Sequence, residues 1–287
     1  MKNVATIVAL MVVVLLISST TCWAASPWFG EAGDKTISVT YVSESFDEIW
    51  KKNTKGPLGG GNSIDHRTLW FRYEQHLADD MAYSVTTGWT ESEFDPATRG
   101  DFDGRADTLL DLKYLLYDEF SREKSYPTVS ARAGITIAGT YPASSAGNPH
   151  SPGDQADGLE ASVLLGKMLS NMFSVFGELG YRYRNNDVPN DLFYNVGVSY
   201  QFENGLRFDT LYVVTEGQSG TDIGQPGFSP NEFEKLREER SLIDVGLFFP
   251  VADSHALGVH FANVIEGRNT GKSDILSLTY TYGFADL

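Results

Sequence analysis

Apolar and polar residues alternate strictly along much of the chain, and the clearest example is LFYNVGVSYQF at residues 192–202. Every even position of this stretch is apolar, whereas the odd positions after Phe193 carry only Asn, Gly, Ser and Gln. A period of two predicts a β-strand with one apolar and one polar face. In a soluble sandwich the apolar face packs on a core, whereas in an outer-membrane barrel it faces lipid and the polar face lines the lumen.

The same alternation recurs from end to end and predicts about twelve strands, an even number of the kind that bacterial outer-membrane barrels have. Each segment has an apolar face opposite a face that is rich in polar residues and glycine. Representative residues of the apolar faces are, in chain order, Val39, Phe71, Val85, Leu112, Ala133, Val163, Leu179, Val196, Tyr212, Val245, Val259 and Leu278. The chain is therefore predicted to be all-β.

The connections between these segments alternate between long and short. Long loops are predicted at 46–63, 93–105, 139–157 and 216–238, tight turns at 79–80, 170–171, 203–205 and 252–255, and intermediate connections at 118–126, 185–190 and 266–272. Outer-membrane barrels have long extracellular loops and short periplasmic turns, whereas a soluble sandwich has no reason to sort its loops by length. We therefore predict a closed antiparallel up-and-down transmembrane β-barrel.

The beginning of the chain predicts a secretory signal peptide over residues 1–24. A positively charged start is followed by a nearly unbroken apolar run, Val4–Ile17, and then by small residues that suit a cleavage site. Residues 25–287 are expected to form the barrel. Within them, residues 26–34 precede the first strand and are expected either to insert into the lumen or to lie in the periplasm.

Composition excludes several kinds of site. No cysteine lies beyond the predicted signal peptide, so that part of the chain has no disulfide framework, thiolate metal site or cysteine nucleophile. The formal charge of −16 argues against a nucleic-acid-binding surface. No apolar run of about 20 residues lies outside the predicted signal peptide, so a membrane crossing would require a closed barrel.

Charged residues interrupt the polar faces near the middle of the strands. A charge that faces lipid at mid-membrane costs about 2–4 kcal/mol, and the predicted lipid faces are almost free of charges. We therefore expect the charged residues to line a hydrated lumen, where Glu160 and Arg182 of neighbouring strands are placed to pair. The candidate lumen-lining residues are Arg72, Glu74, Asp111, Lys113, Arg132, Glu160, Glu178, Arg182, Arg184, Arg207, Asp209, Asp244 and His260.

Tyrosine and phenylalanine cluster near the ends of the predicted strands, as at Tyr181, Tyr183, Tyr280 and Phe284. Such rings favour a lipid–water boundary, because they combine an apolar body with a polar tip or edge. Ordinary strand propensity would also enrich aromatic residues in these segments. We favour the interpretation that they form the aromatic girdles of a membrane barrel.

Five central stretches resemble the outer-membrane barrel family that is associated with the meta-pathway of phenol degradation. They are RADTLLDLKYLLYD (105–118), SARAGITIAGTYPASSAG (130–147), DGLEASVLLGKMLSN (157–171), SVFGELGYRYRNND (174–187) and LFYNVGVSYQFENG (192–205). The resemblance covers roughly residues 65–285 and implies a transport barrel for small compounds, including hydrophobic ones. Where many family members have a Pro-Thr-Gly turn after the fifth strand, this chain has AGTYP at residues 138–142. The resemblance supplies no functional residues.

Motifs for other chemistry are weak. Asp101, Asp103 and Asp107 space carboxylates as a calcium loop does, but the neighbouring glycine and glutamate positions do not fit, so a solvated acidic loop is the better interpretation. His66 and His260 are candidate catalytic bases, but no serine lies in a G-x-S-x-G context. We expect no enzymatic activity and no cofactor. Residues 232–240 predict a charged solvated loop or a short helix over the mouth of the barrel.

Two functions remain open from the sequence. The first is a channel or transporter for small solutes, with passive diffusion through the lumen. The second is a structural or surface-interaction barrel that uses its long extracellular loops and transports nothing. With either function, the protein is expected to be a monomer in the outer membrane of a Gram-negative bacterium, in contact with lipid and lipopolysaccharide. Phe284 closes the last strand and resembles the signal that the barrel assembly machinery recognises.

Overall fold

A computed structural model describes residues 26–59, 61–95, 101–121, 126–143, 150–229 and 231–284. The predicted signal peptide at residues 1–24 lies outside these residues. Within the described ranges, no helix is long and apolar enough to cross a lipid bilayer.

The described chain is almost entirely β-structure. Its strands are β1 (Lys35–Phe46), β2 (Glu48–Lys51), β3 (Thr54–Pro57), β4 (Ser63–Ala78), β5 (Met81–Asp95), β6 (Phe102–Arg105), β7 (Thr108–Tyr117), β8 (Thr128–Ile137), β9 (Gly158–Met168), β10 (Phe173–Arg184), β11 (Asp191–Gln201), β12 (Arg207–Gly217), β13 (Glu239–Ala252), β14 (His255–Arg268) and β15 (Asp274–Phe284). One 3₁₀ turn, Phe233–Lys235, precedes β13.

Twelve of these strands close into a single antiparallel barrel. Around the ring they follow the order β1, β4, β5, β7 and then β8 to β15 in sequence, and β15 pairs back with β1. The closing register extends from Lys35 opposite Phe284 to Ser45 opposite Asp274. The prediction of a closed antiparallel barrel of about twelve strands is confirmed.

The two faces of each strand differ sharply in exposure. In β11 the side chain of Val196 is 62% exposed on the outside of the barrel, whereas Asn195 is only 3% exposed. Large apolar side chains on the outer surface include Phe71, Leu112, Leu116, Ile135, Leu159, Leu179, Tyr183, Phe261 and Leu276. An apolar surface this extensive is far beyond the patches that soluble proteins leave uncovered, and it suits contact with lipid.

The ends of the barrel differ as well. The connections β4–β5, β9–β10, β11–β12 and β13–β14 are all tight, and together with the β7–β8 connection they lie at one end, called here the short-turn end. The long connections β1–β4, β5–β7, β8–β9 and β12–β13 lie at the opposite, long-loop end. Sorting of the loops by length therefore follows the sequence prediction.

Two predicted loops contain more structure than expected. The segment 46–63 holds the β2–β3 hairpin, and Trp50 of that hairpin is 7% exposed because it packs inward against the barrel wall. The segment 93–105 holds the last residues of β5 and the short strand β6, which extends the sheet beyond the end of β7. Strands β2, β3 and β6 are each four residues long, which is too short for a clear alternating pattern in the sequence.

Candidate functional site

In the part of the chain that the structure describes, four cavities follow one another along the lumen. A cavity of about 520 Å³ lies toward the short-turn end, a central cavity of about 380 Å³ follows, and cavities of about 440 and about 200 Å³ lie toward the long-loop end. We call the 440 Å³ cavity the vestibule. The thirteen candidate residues all line the first or the central cavity.

Arg132 on β8 is the centre of a charged network in the middle of the lumen. Its guanidinium nitrogens lie 2.9 Å from Asp111 on β7 and 2.8 Å from Glu178 on β10, and also contact Glu160 on β9. Glu160 in turn lies 2.9 Å from Nε of Arg182, which is the pairing expected from the sequence. Burial is nearly complete, since the side chains of Glu160 and Glu178 are 2% and 3% exposed.

Register and one glycine explain why this network can form. Arg182 lies directly opposite Glu160, and Gly134 lies opposite both Asp111 and Glu160 on its two neighbouring strands. A Cβ atom at position 134 would lie 2.5 Å from a carboxylate oxygen of Asp111 and 3.0 Å from Cγ of Glu160. Glycine at this position therefore leaves the space in which the two acids approach Arg132. We call the set Asp111, Arg132, Glu160, Glu178 and Arg182 the charged wall.

The remaining candidates form smaller pairs around the lumen. Toward the short-turn end these pairs are Arg72 with Glu74 at 2.7 Å, Arg207 with Asp209 at 3.1 Å and His260 with Asp244 at 2.8 Å. Toward the long-loop end, Nη1 of Arg184 lies 3.0 Å from Asp154 and 3.8 Å from Asp191. The pairing leaves the lumen wall highly polar but with its opposite charges closely matched.

The wall across the lumen is apolar, and the sequence analysis missed it. It consists of Val42, Leu211, Val213, Leu242, Ala262, Val264 and Ile275, and we call it the apolar wall. Its residues share the inward parity of polar candidates on the same strands, so Leu211 and Val213 follow Asp209 in steps of two, and Leu242 precedes Asp244. This two-residue spacing from polar lumen residues is the signal in the sequence that identifies the apolar wall. The assignment of all apolar side chains to the lipid face conceals it.

The residues before β1 enter the lumen at the short-turn end. Nζ of Lys113 donates hydrogen bonds to the carbonyl oxygens of Ser26 (3.0 Å) and Trp28 (3.2 Å). Pro27 is fully buried, and Nε1 of Trp28 donates to Glu119 at 3.0 Å. Of the two placements considered for residues 26–34, insertion into the lumen is the one observed. The candidate Lys113 therefore anchors this segment rather than standing free in the lumen.

Loops of the long-loop end fold inward over the lumen. The hydroxyl of Tyr141 donates to Asp107 at 2.6 Å, which ties the β8–β9 loop to the residues before β7. In the β12–β13 loop, Asp222 accepts hydrogen bonds of 2.7 Å from Nε and Nη2 of Arg268. These bonds, with one from Asn269, lower the pKa of Asp222 to about 2. The segment 232–240 contains only the single 3₁₀ turn before β13 begins.

The histidines and the acid Asp107 that the sequence offers for catalysis or metal binding contact other groups of the protein. The described residues contain no group of three or more His, Cys, Asp or Glu side chains arranged to hold a metal ion. His66 lies 3.1 Å from the carbonyl oxygen of His150, and His260 is paired with Asp244. Asp107, one of the three acids considered for calcium, instead accepts hydrogen bonds from Tyr141 and from the backbone of Gly139.

Comparison with solved structures identifies the fold. An outer membrane channel from Pseudomonas putida F1 superposes with a TM-score of 0.71 at 16% sequence identity, covering 93% of this chain and 99% of that one. The KdgM porin gives a TM-score of 0.51 at 9% identity, covering 86% of this chain and 99% of that one. No protein-family model matches the sequence, and no curated protein is significantly similar to it.

The same fold also occurs in a protein with another task. The transport unit of the autotransporter AIDA-I from Escherichia coli has a TM-score of 0.50 at 8% identity, covering 88% of this chain and 90% of that one. At such identities the likeness concerns the architecture of the barrel. The function of this chain must therefore be argued from its own lumen.

Proposed function

We propose that this protein is a channel of the bacterial outer membrane through which small solutes diffuse passively. The observation that carries the proposal is the continuity of its cavities. Ser38, Arg72, Asp111 and Arg132 line both the first and the central cavity, and Arg240 lines the central cavity as well as the two at the long-loop end. Neighbouring cavities thus share side chains, which supports a path for a solute from one cavity to the next.

The side chains that line the lumen determine which solutes such a path would favour. The charged wall keeps water and ions in contact with one side of the central cavity, whereas Val213 and Leu242 offer the other side a surface for apolar groups. A solute of modest size with polar and apolar parts can contact both. Small compounds with hydrophobic parts, which the family resemblance implies, are compatible with this arrangement.

The apolar exterior and the sorted loops support a place in the outer membrane. Export by the predicted signal peptide, insertion by the barrel assembly machinery and contact with lipopolysaccharide belong to the same proposal. We further propose a monomer, because the outer apolar band is suited to lipid all the way around. The similarity to an outer membrane channel is consistent with these points at the level of the fold.

Conductance in a planar lipid bilayer tests the proposal directly. The folded protein is expected to produce discrete ohmic current steps in potassium chloride, and protein unfolded by boiling is the control. The folded and boiled forms should also migrate differently in a denaturing gel. A correctly folded barrel that gives no current would overturn the channel function and favour a structural or surface-interaction role.

A further inference from the structure

Several large apolar side chains line the vestibule at the long-loop end. Its apolar lining residues are Phe46, Ile49, Leu58, Ile64, Phe94, Ile223, Phe233 and Leu236, and most of them come from the loops rather than from the middle of the strands. The volume of about 440 Å³ lies in the range of small-molecule sites. A cavity of this size and lining can enclose a ring-sized apolar group.

Among the described residues, the charged side chains that line the vestibule form ion pairs, except those of Lys51 and Glu238. Glu44 lies 3.2 Å from Nη2 of Arg240, and Asp154 lies 3.0 Å from Nη1 of Arg184. Glu238 lines the same cavity. Among the described residues, no side chain forms an ion pair or hydrogen bond with the Glu238 carboxyl group. The vestibule therefore combines apolar lining residues with an acid that no cation contacts directly, and on which Arg184 and Arg240 act only at longer range.

We propose that the vestibule binds small organic cations that carry an apolar body, such as an aromatic ring with an attached ammonium group. The ammonium group pairs with Glu238, and the ring lies against the apolar lining residues of the vestibule near Phe233. Aromatic side chains add to the attraction, because the face of a ring stabilises a nearby cation. This inference rests on the proposed channel function, since it makes the vestibule the first binding site on the path inward.

Charge on the surrounding loops favours a cation over an anion. Six acidic and two basic residues lie between residues 91 and 107, and five acidic and two basic residues lie between residues 216 and 238. Such an excess attracts cations and repels anions before they reach the cavity. An uncharged apolar solute would fill the cavity but would displace water from Glu238 without replacing it by a partner charge, which is unfavourable.

Binding is measured with four probes by ligand-detected NMR on the folded barrel in detergent at pH 9. Benzyltrimethylammonium has both a ring and a permanent positive charge, tetramethylammonium has only the charge, benzyl alcohol has only the ring, and benzenesulfonate has a ring with a negative charge. We expect benzyltrimethylammonium to bind most tightly and benzenesulfonate most weakly. Equal binding of the two charged ring compounds would overturn the inference.

Variants locate the site. Glu238→Gln is expected to weaken benzyltrimethylammonium binding about fivefold, the effect of losing one solvated ion pair. The matched control is Glu234→Gln, which removes the same charge from the same loop, at a residue that lines none of the four cavities. The control should bind like the wild type. Phe233→Ala should weaken benzyltrimethylammonium binding but leave tetramethylammonium binding unchanged.

Bilayer conductance without any probe separates this inference from the channel function. A difference in gel migration between the folded and boiled forms, as in the wild type, shows that both Glu variants are folded. Probe binding that needs Glu238 in a barrel that does not conduct would refute the channel function and retain the cation site. A conducting barrel whose probe binding is the same in Glu238→Gln and in the wild type would refute the cation site alone.

Discussion

The charged wall and the apolar wall of the lumen come from the same alternating strand pattern, yet different forces hold them. On the charged wall, one arginine faces three nearly buried carboxylates, so stability depends on mutual neutralisation. On the apolar wall, Leu211, Val213 and Leu242 pack with their neighbours, so stability depends on the exclusion of water. The comparison shows that the inner face of a barrel is defined by its parity and not by its polarity.

The largest expected effect comes from removing the centre of the charged wall. Arg132→Met leaves Asp111, Glu160 and Glu178 without their shared counter-ion, and breaking a buried pair in this way costs about 3–5 kcal/mol. The free energy of unfolding in urea, measured on the folded barrel in liposomes, should fall accordingly.

The matched control for this change is Arg207→Met. The side chain of Arg207 is 43% exposed and its ion-pair partner is the single carboxylate of Asp209, so the loss should stay below about 1 kcal/mol. If the two variants lost the same stability, the charged wall would not be a network centred on Arg132.

A smaller loss is expected on the apolar wall. Leu242→Ala removes packed side-chain volume from a residue that is 6% exposed, and this should cost about 2–3 kcal/mol in the same unfolding measurement. Its neighbour Ile243 points outward and is 41% exposed. Ile243→Ala should therefore cost clearly less, and the opposite order would show that Leu242 does not pack in a closed inner cluster.

Arg182 and Arg184 should affect the ion selectivity of the channel. Replacing Arg182 and Arg184 together by alanine leaves Glu160, Asp154 and Asp191 with less positive charge around them. The reversal potential in a potassium chloride gradient should shift toward cation selectivity. Tyr181→Phe, on the outward face between the two arginines, should leave the reversal potential unchanged. Identical selectivity in all three proteins would mean that ions do not pass these arginines.

The smallest expected effect is a pH dependence in the vestibule. Enclosure in the cavity, together with the carboxylates of Asp154 and Asp191, raises the pKa of Glu238 to about 8, and the guanidinium groups of Arg184 and Arg240 oppose this shift. Glu238 is therefore mostly neutral at pH 6 and ionised at pH 9. Benzyltrimethylammonium should bind more tightly at pH 9 than at pH 6.

Glu238→Gln provides the control for the pH experiment. In this variant the step between pH 6 and pH 9 should disappear, because the group that ionises over this range is absent. A step of the same size in the variant would assign the pH dependence to another group in the cavity.

Strand number, barrel closure and loop sorting could be predicted from the sequence, because alternation with a period of two is a local property. Asn195 and Val196 face opposite sides for the same reason. The β2–β3 hairpin and the inward packing of Trp50 could not be predicted, because they depend on contacts with the loop between β14 and β15. Lys113 illustrates the same limit, since its partners are backbone carbonyls of a segment without any strand pattern.

Gly134 and the charged wall also affect how the barrel assembles. The acids that surround Arg132 belong to three other strands and approach it only when β7, β8, β9 and β10 have all paired in the correct register. A slip of β8 by one residue would turn Arg132 toward the hydrocarbon and replace the glycine gap by a side chain. The misaligned barrel would carry both an arginine in lipid and a group of acids without their counter-ion. The charged wall thus makes out-of-register pairing of β8 unfavourable and so helps to select the correct register while the sheet forms.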